Sequence, residues 1–151
     1  MALARIQVDS WRESYRGIIP QPYLDGLSYA THERQWRRNL GASGWAFIAV
    51  WQGQIVGLAS GGRCRSLKGF AGELYVLYIL RAYQGRSIGR ALFDAVHLEL
   101  ARRGFGDLLV WVLADNPARG FYEHLGGEIV GEASCVIGGV KLKEIAYGWR
   151  A

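Results

Sequence analysis

Residues 73–93 read Glu73-Leu-Tyr-Val-Leu-Tyr-Ile-Leu-Arg-Ala-Tyr-Gln84-Gly-Arg-Ser-Ile-Gly-Arg-Ala-Leu-Phe93, and three kinds of pattern follow one another in them. Glu73 to Leu80 is apolar and aromatic over the length of a strand. Gln84 to Arg90 is a glycine-containing turn, and from Ile88 onward Leu92, Ala95, Val96 and Leu100 recur at helical spacing. A strand that ends in such a turn and runs straight into a helix gathers backbone N–H groups and the positive end of the helix dipole around one small space, which suits phosphate. Gln84, Gly85, Arg86, Ser87, Ile88, Gly89 and Arg90 are the candidate residues for that site. Gly85 and Gly89 would let the backbone approach an oxyanion, and Arg86 and Arg90 add cationic donors. The turn lacks Gly-Lys-Ser/Thr and G-x-G-x-x-G, so a Walker A loop and a dinucleotide fingerprint are both excluded.

Downstream, Gly104 and Gly106 stop the helix, Asp107 to Leu113 forms an apolar strand, and Asn116-Pro117 opens a short helix with Pro at its first position. Strand character returns at Glu128 to Cys135 and Val140 to Trp149, joined by a Gly138-Gly139 hairpin turn. Upstream, Trp45 to Trp51 and Gln54 to Ser60 read as a hairpin around Gln52-Gly53, and Gly61 to Gly69 as a polar loop. The first forty residues are helical in pattern. Leu3, Ile6, Val8, Trp11 and Tyr15 recur at three or four residues until Gly17 and Pro20, a short helix starts at Pro22, and Thr31 to Leu40 closes at Gly41. The order is three helices, two strands, a strand, a helix, a strand, a helix and two strands, an α/β (α+β) mixed sheet. With 151 residues, no repeat and no linker, residues 1–151 are expected to form one domain.

Half of the residues are apolar, which supports a packed core. The net charge of +5 favours an anionic partner, but the positive residues are dispersed and the aromatics form no stacking platform. A phosphorylated small molecule is therefore expected, not nucleic acid. No apolar run reaches the roughly 18 residues of a membrane span and Met1 leads into amphipathic sequence, so a cytoplasmic chain without membrane contact is expected. Cys64, Cys135, His32, His97 and His124 follow no metal-ligand spacing, and no metal is expected.

The 73–93 stretch resembles the acetyl-CoA-binding core of the GNAT superfamily of N-acetyltransferases. Gln84, Ser87 and Gly89 stand at the fixed positions of its Q/R-x-x-G-x-G/A pattern, with Ser in place of the first glycine. Ser suits a helix N-cap if its φ is negative, and it would add a hydroxyl near the pyrophosphate. Asn116-Pro-Ala-Arg-Gly-Phe121-Tyr122-Glu-His-Leu-Gly126-Gly127 is similar to the family's later N-x-A-x-x-F-Y-x-x-x-G segment. Trp11 to Pro20 and Glu144 to Trp149 resemble one bacterial branch of it. GNAT domains usually begin with a strand, so this chain is expected to lack the first one or to start late.

The resemblance implies acetyl-CoA as donor and direct transfer of acetyl to an amine, on a small molecule or on a protein or peptide. It implies a bulge in the central strand that exposes backbone donors near Tyr78, Ile79 and Leu80. It implies Asn116 as a cofactor-binding residue and Tyr122 both as a cofactor contact and as the acid that protonates the departing thiolate. Glu73 is implied as the base, acting directly or through water. By the same analogy Trp11, Tyr15 and Trp45 line the acceptor pocket, and a homodimer is a family habit. The rival from another class is a non-catalytic acyl-CoA-binding sensor or partner module.

Overall fold

The computed structural model describes residues 2–151. Helix α1 (Ala2–Ser14) turns Ala4, Ile6, Val8 and Ser10 inward. A five-residue α2 (Gln21–Asp25) carries Pro22 in its first turn, where an N–H has no intrahelical partner to lose. Helix α3 (Tyr29–Gly41) starts two residues before the expected Thr31, because Ser28 Oγ accepts the Thr31 N–H at 3.3 Å and caps it.

Strands β1 (Phe47–Trp51) and β2 (Gln54–Arg63) form the expected hairpin, with Gln52 at φ 49 and Gly53 at φ 81. Strand β2 does not end at Ser60 but continues to Arg63, so Gly61 and Gly62 lie in a strand and not in the predicted loop. Their size is required by a neighbouring strand: a Cβ on Gly61 would stand 2.7 Å from the Glu73 carbonyl and one on Gly62 2.8 Å from the Tyr75 hydroxyl. Next come β3 (Gly72–Ile79), a 3-10 turn (Arg81–Tyr83), α4 (Ile88–Arg102), β4 (Leu108–Leu113), α5 (Ala118–His124), β5 (Glu128–Ile137) and β6 (Val140–Trp149). Gly138 (φ 60) and Gly139 (φ 78) make the turn between β5 and β6.

The six strands lie in the order β1-β2-β3-β4-β6-β5, and only β3 and β4 run parallel. This is a mixed α/β fold, and among the described residues no strand precedes α1. Helices α4 and α5 cover one face, burying Leu92, Phe93, Val96 and Leu100 against Leu74, Leu108, Val110, Val112 and Tyr147. Helices α1 to α3 cover the other, where Ile6 and Trp36 meet Leu58, and Ile19 and Leu24 meet Leu113. Among the described residues no helix is long and apolar enough to cross a membrane, and no group of three acidic, His or Cys side chains is placed to hold a metal.

Candidate functional site

Parallel pairing between β3 and β4 lasts for three residues, Gly72 with Leu108, Glu73 with Leu109 and Leu74 with Val110, and then ceases. Both strands keep their outer partners further on, β3 with β2 as far as Ile79 and β4 with β6 as far as Leu113. Their inner edges therefore open as a V. The break coincides with a register shift on β3, where Ser60 faces Val76 but Gly61 faces Leu74, leaving Tyr75 as the extra residue. Such a bulge raises local twist and turns β3 away from its neighbour.

The bulge thus sits at Tyr75, ahead of the expected Tyr78–Leu80 segment, and this changes which backbone donors are free. The Leu80 N–H is taken by the Val56 carbonyl at 3.0 Å. Because hydrogen bonding alternates along an antiparallel ladder, the Tyr78 and Val76 amides also point to β2, and those of Leu77 and Ile79 point into the V. The Ile79 carbonyl, on that same edge, accepts the Gln84 side-chain amide at 3.2 Å. Of the three expected residues only Ile79 offers its amide to the gap. Leu77, which was not singled out, offers the other, and strand alternation from one known bond would have found it.

The V widens into a cleft of about 550 Å³, walled by β3 and β4, the start of α4, α5 and the Ser10, Ser14 and Tyr15 side of α1. Tyr78, Ile79, Gln84, Gly85, Ser87, Ile88, Gly89, Arg90, Asn116, Tyr122 and Tyr15 all line it. At its α4 end the first bond of the helix runs from Ala91 N–H to Ser87 O at 3.2 Å, so the amides of Ser87, Ile88, Gly89 and Arg90 have no intrahelical acceptor. Ser87 itself adopts φ 62, ψ 12 and its side chain caps nothing, contrary to the negative φ expected for an N-cap serine. The absence of a side chain at Gly89 is required by packing: a Cβ there would meet Ile79 Cδ1 at 3.0 Å and the Phe121 ring at 3.3 Å. Arg86 stands aside with its guanidinium 4.9 Å from the Trp51 ring centroid, and the exposed Arg90 lies 3.8 Å from Asp94.

At the other end three phenols converge. Tyr122 is 6% exposed, and its ring is held by Phe121, Tyr147 and Trp149 at 5.1, 6.3 and 6.2 Å between centroids. Burial, and secondarily the nearby Tyr15 and Tyr78 phenols, hold its hydroxyl far above the ordinary tyrosine range, so it stays protonated at neutral pH. Tyr78 is raised in the same way, first by burial and then by Tyr15, and its hydroxyl accepts the Trp11 indole N–H at 2.9 Å. Trp11 therefore orients Tyr78 and packs edge-on against Tyr15 at 4.9 Å beside the cleft. Asn116 Oδ1 accepts the Ala118 N–H at 2.9 Å, which starts α5 and directs the amide nitrogen away from that bond. Ser10 Oγ is buried on the same wall without a hydrogen-bond partner among the described residues.

Glu73 does not line the cleft. It is 7% exposed on the α1 face at the apex of the V, where Ser66 donates a short hydrogen bond to its carboxylate and the Cys64 thiol lies 3.6 Å away. The Trp111 indole N–H donates to the same Ser66 oxygen at 2.8 Å. Glu144, whose partner on β4 is Leu113, has its carboxyl raised above the usual range, first by burial and then by repulsion from Glu73. Trp45, expected at the acceptor pocket, does not line the cleft. It lies two residues before β1 and packs on the α4 face, against Phe47 at 5.7 Å and under Arg103 at 5.1 Å, on the opposite side of the sheet from α1.

A splayed parallel pair, a bare strand edge and a helix N-terminus meet in one cleft, and residues 7–127 match the family described as Acetyltransferase (GNAT) family. The chain belongs to the GNAT acetyltransferase family. It is 40% identical over 150 residues to an uncharacterized N-acetyltransferase, YuaI, of Bacillus subtilis (strain 168), covering 97% of this chain and 85% of that protein. Its fold matches a GCN5-related N-acetyltransferase from Rhodopseudomonas palustris with TM-score 0.76 and 25% identity over 98% of this chain and 87% of that one. It also matches the PaiA N-acetyltransferase of Thermoplasma acidophilum, solved in complex with coenzyme A, with TM-score 0.75 and 16% identity over 99% and 91%. As a GNAT enzyme the protein is an N-acetyltransferase with acetyl-CoA as donor and an amine as acceptor, and these relatives do not support the sensor alternative.

Proposed function

We propose that this GNAT protein moves acetyl directly from acetyl-CoA to a primary amine, with Tyr122 as the proton donor to the departing thiolate and Glu73 as the ultimate proton acceptor. The observation that carries this is the V between β3 and β4, in which unpaired Leu77 and Ile79 amides lie between the free α4 amides at one end and the Tyr122 phenol at the other. The residues fit acetyl-CoA. An extended, amide-bearing arm pairs with a bare strand edge, and a pyrophosphate suits four unpaired amides and the helix dipole.

Each step then falls to a group of this chain. The cleft-facing amides of β3 donate to the oxygen on which negative charge develops, the largest electrostatic contribution in acyl transfer. Tyr122, kept protonated by burial, gives its proton to the sulfur and regains one through Tyr15 or solvent. Glu73 lies two residues before Tyr75, where the cleft wall on β3 begins, so it draws the ammonium proton through Ser66 or a water and not by direct contact. The carboxylates of Glu73 and Glu144 favour an acceptor that arrives as a cation on the α1 face. That fits a free primary amine, whether on a small molecule or a peptide.

The test is a panel of amines followed by thiol release from acetyl-CoA. Tyr122→Phe and Glu73→Gln should each lower kcat about 100-fold, with acetyl-CoA affinity changed by less than about threefold. Thiol release that persists undiminished in both variants would remove these two roles.

A further inference from the structure

Helix α5 has only seven residues, too few to be stable alone, yet it carries Tyr122 and must hold one roll angle if that phenol is to point into the V. The grip comes from β6. Tyr147 is fully buried, and both partners of its hydroxyl lie on α5: it donates to Glu123 Oε1 at 2.5 Å and accepts from Arg119 Nε at 2.9 Å. These two residues are one helical turn apart and bracket Tyr122. Arg119 also donates to the Ala114 carbonyl at 3.3 Å, at the end of β4, so the same guanidinium ties the helix to the strand that forms the other wall of the V. The Tyr147 ring lies stacked on Tyr122, 27° from coplanar at 6.3 Å. A phenylalanine would fill this volume without a buried hydroxyl to satisfy, so the hydroxyl's two bonds to α5 are what distinguish tyrosine here.

We propose that Tyr147 is a positioning residue for acetyl transfer, fixing the roll of α5 through Arg119 and Glu123 so that the Tyr122 hydroxyl meets the reacting sulfur. The inference rests on Tyr122 as proton donor. Displacing a catalytic group by about an ångström costs up to about 100-fold in rate, while the cleft walls and the cofactor's anchoring amides stay as they are. The expected signature is a split between kcat and KM.

The experiment measures kcat and the KM for acetyl-CoA in Tyr122→Phe alone, and in two variants each made both singly and combined with Tyr122→Phe, namely Tyr147→Phe and Glu123→Ala. The last removes only a half-exposed carboxylate, so it keeps the fold even if the buried change perturbs it. Tyr147→Phe should lose about tenfold in kcat with KM within about twofold, and should cost nothing further in the Tyr122→Phe background. Glu123→Ala should lose a few-fold in kcat in the same way, and nothing in that background. Unchanged kcat in both Tyr147→Phe and Glu123→Ala, or losses that multiply with that of Tyr122→Phe, would overturn the positioning role. Wild-type kcat in Tyr122→Phe would instead remove the proton-donor reading, and this inference with it.

Discussion

Ser87 occupies the left-handed region at φ 62, one residue before α4, with its side chain bonded to nothing that caps the helix. A non-glycine residue there carries a steric cost of about 1–2 kcal/mol, partly offset by the lower entropy of its unfolded state relative to glycine. Ser87→Gly should therefore raise the unfolding free energy by about 0.5–1 kcal/mol in urea titrations, and leave acetyl-CoA affinity within about twofold, since the free backbone amide is kept. Tyr122 makes a prediction of a different sign. Its pKa is raised in the folded state, so the stability tied to its neutral phenol is present below the unfolded value near pH 10 and is lost as pH climbs toward the folded one. Urea unfolding at pH 8 and pH 11 should show the wild type losing stability at the alkaline end and Tyr122→Phe losing less. An equal loss in both would place Tyr122 outside the groups that titrate.

The N-terminus of α4 depends on how closely it approaches β3 and α5. Gly89 is buried between Ile79 and Phe121, and a β-branched side chain there must push both aside. Gly89→Val should lower stability by about 1–3 kcal/mol in thermal melts and weaken acetyl-CoA binding more than tenfold in calorimetry, because the amides of Ile88 and Arg90 move with the helix. Several elements are legible in the sequence: Val140 to Trp149 matches its strand at both ends, and the Gln52-Gly53 and Gly138-Gly139 turns fall where the hairpins need positive φ. Gly61 and Gly62 misled because glycine signals a loop and a tight strand crossing equally well. Only the neighbour, here the Glu73 carbonyl and the Tyr75 ring, decides between them. Trp45 misled for a related reason: an aromatic side chain announces burial but not the face of the sheet on which it is buried.

At the scale of the whole molecule, the cleft arises from a mismatch between two strands, β3 and β4, that pair for only three residues. No local pattern in the sequence of either strand shows where they part, since the register depends on β2 and β6 holding their outer edges and on a bulge at Tyr75 that only pairing reveals. The motifs at Gln84–Arg90 and Asn116–Tyr122 were legible because each is local, and the fold brings them to the two ends of one opening. Glu73, by contrast, was readable as a strand-end carboxylate but not as a buried one shielded by Ser66, which arrives from a loop closed by the Cys64 N–H bond to Ala71 at 2.7 Å. The central claim, that the bare inner edge of β3 and the start of α4 hold acetyl-CoA, is tested most directly by following backbone amide resonances during titration with acetyl-CoA. The account predicts saturable binding tighter than about 1 mM, with the largest shifts at Leu77, Ile79, Ile88 and Gly89 and small ones at Tyr78 and Leu80. No binding at that concentration, or shifts that spare β3 and α4, would contradict it.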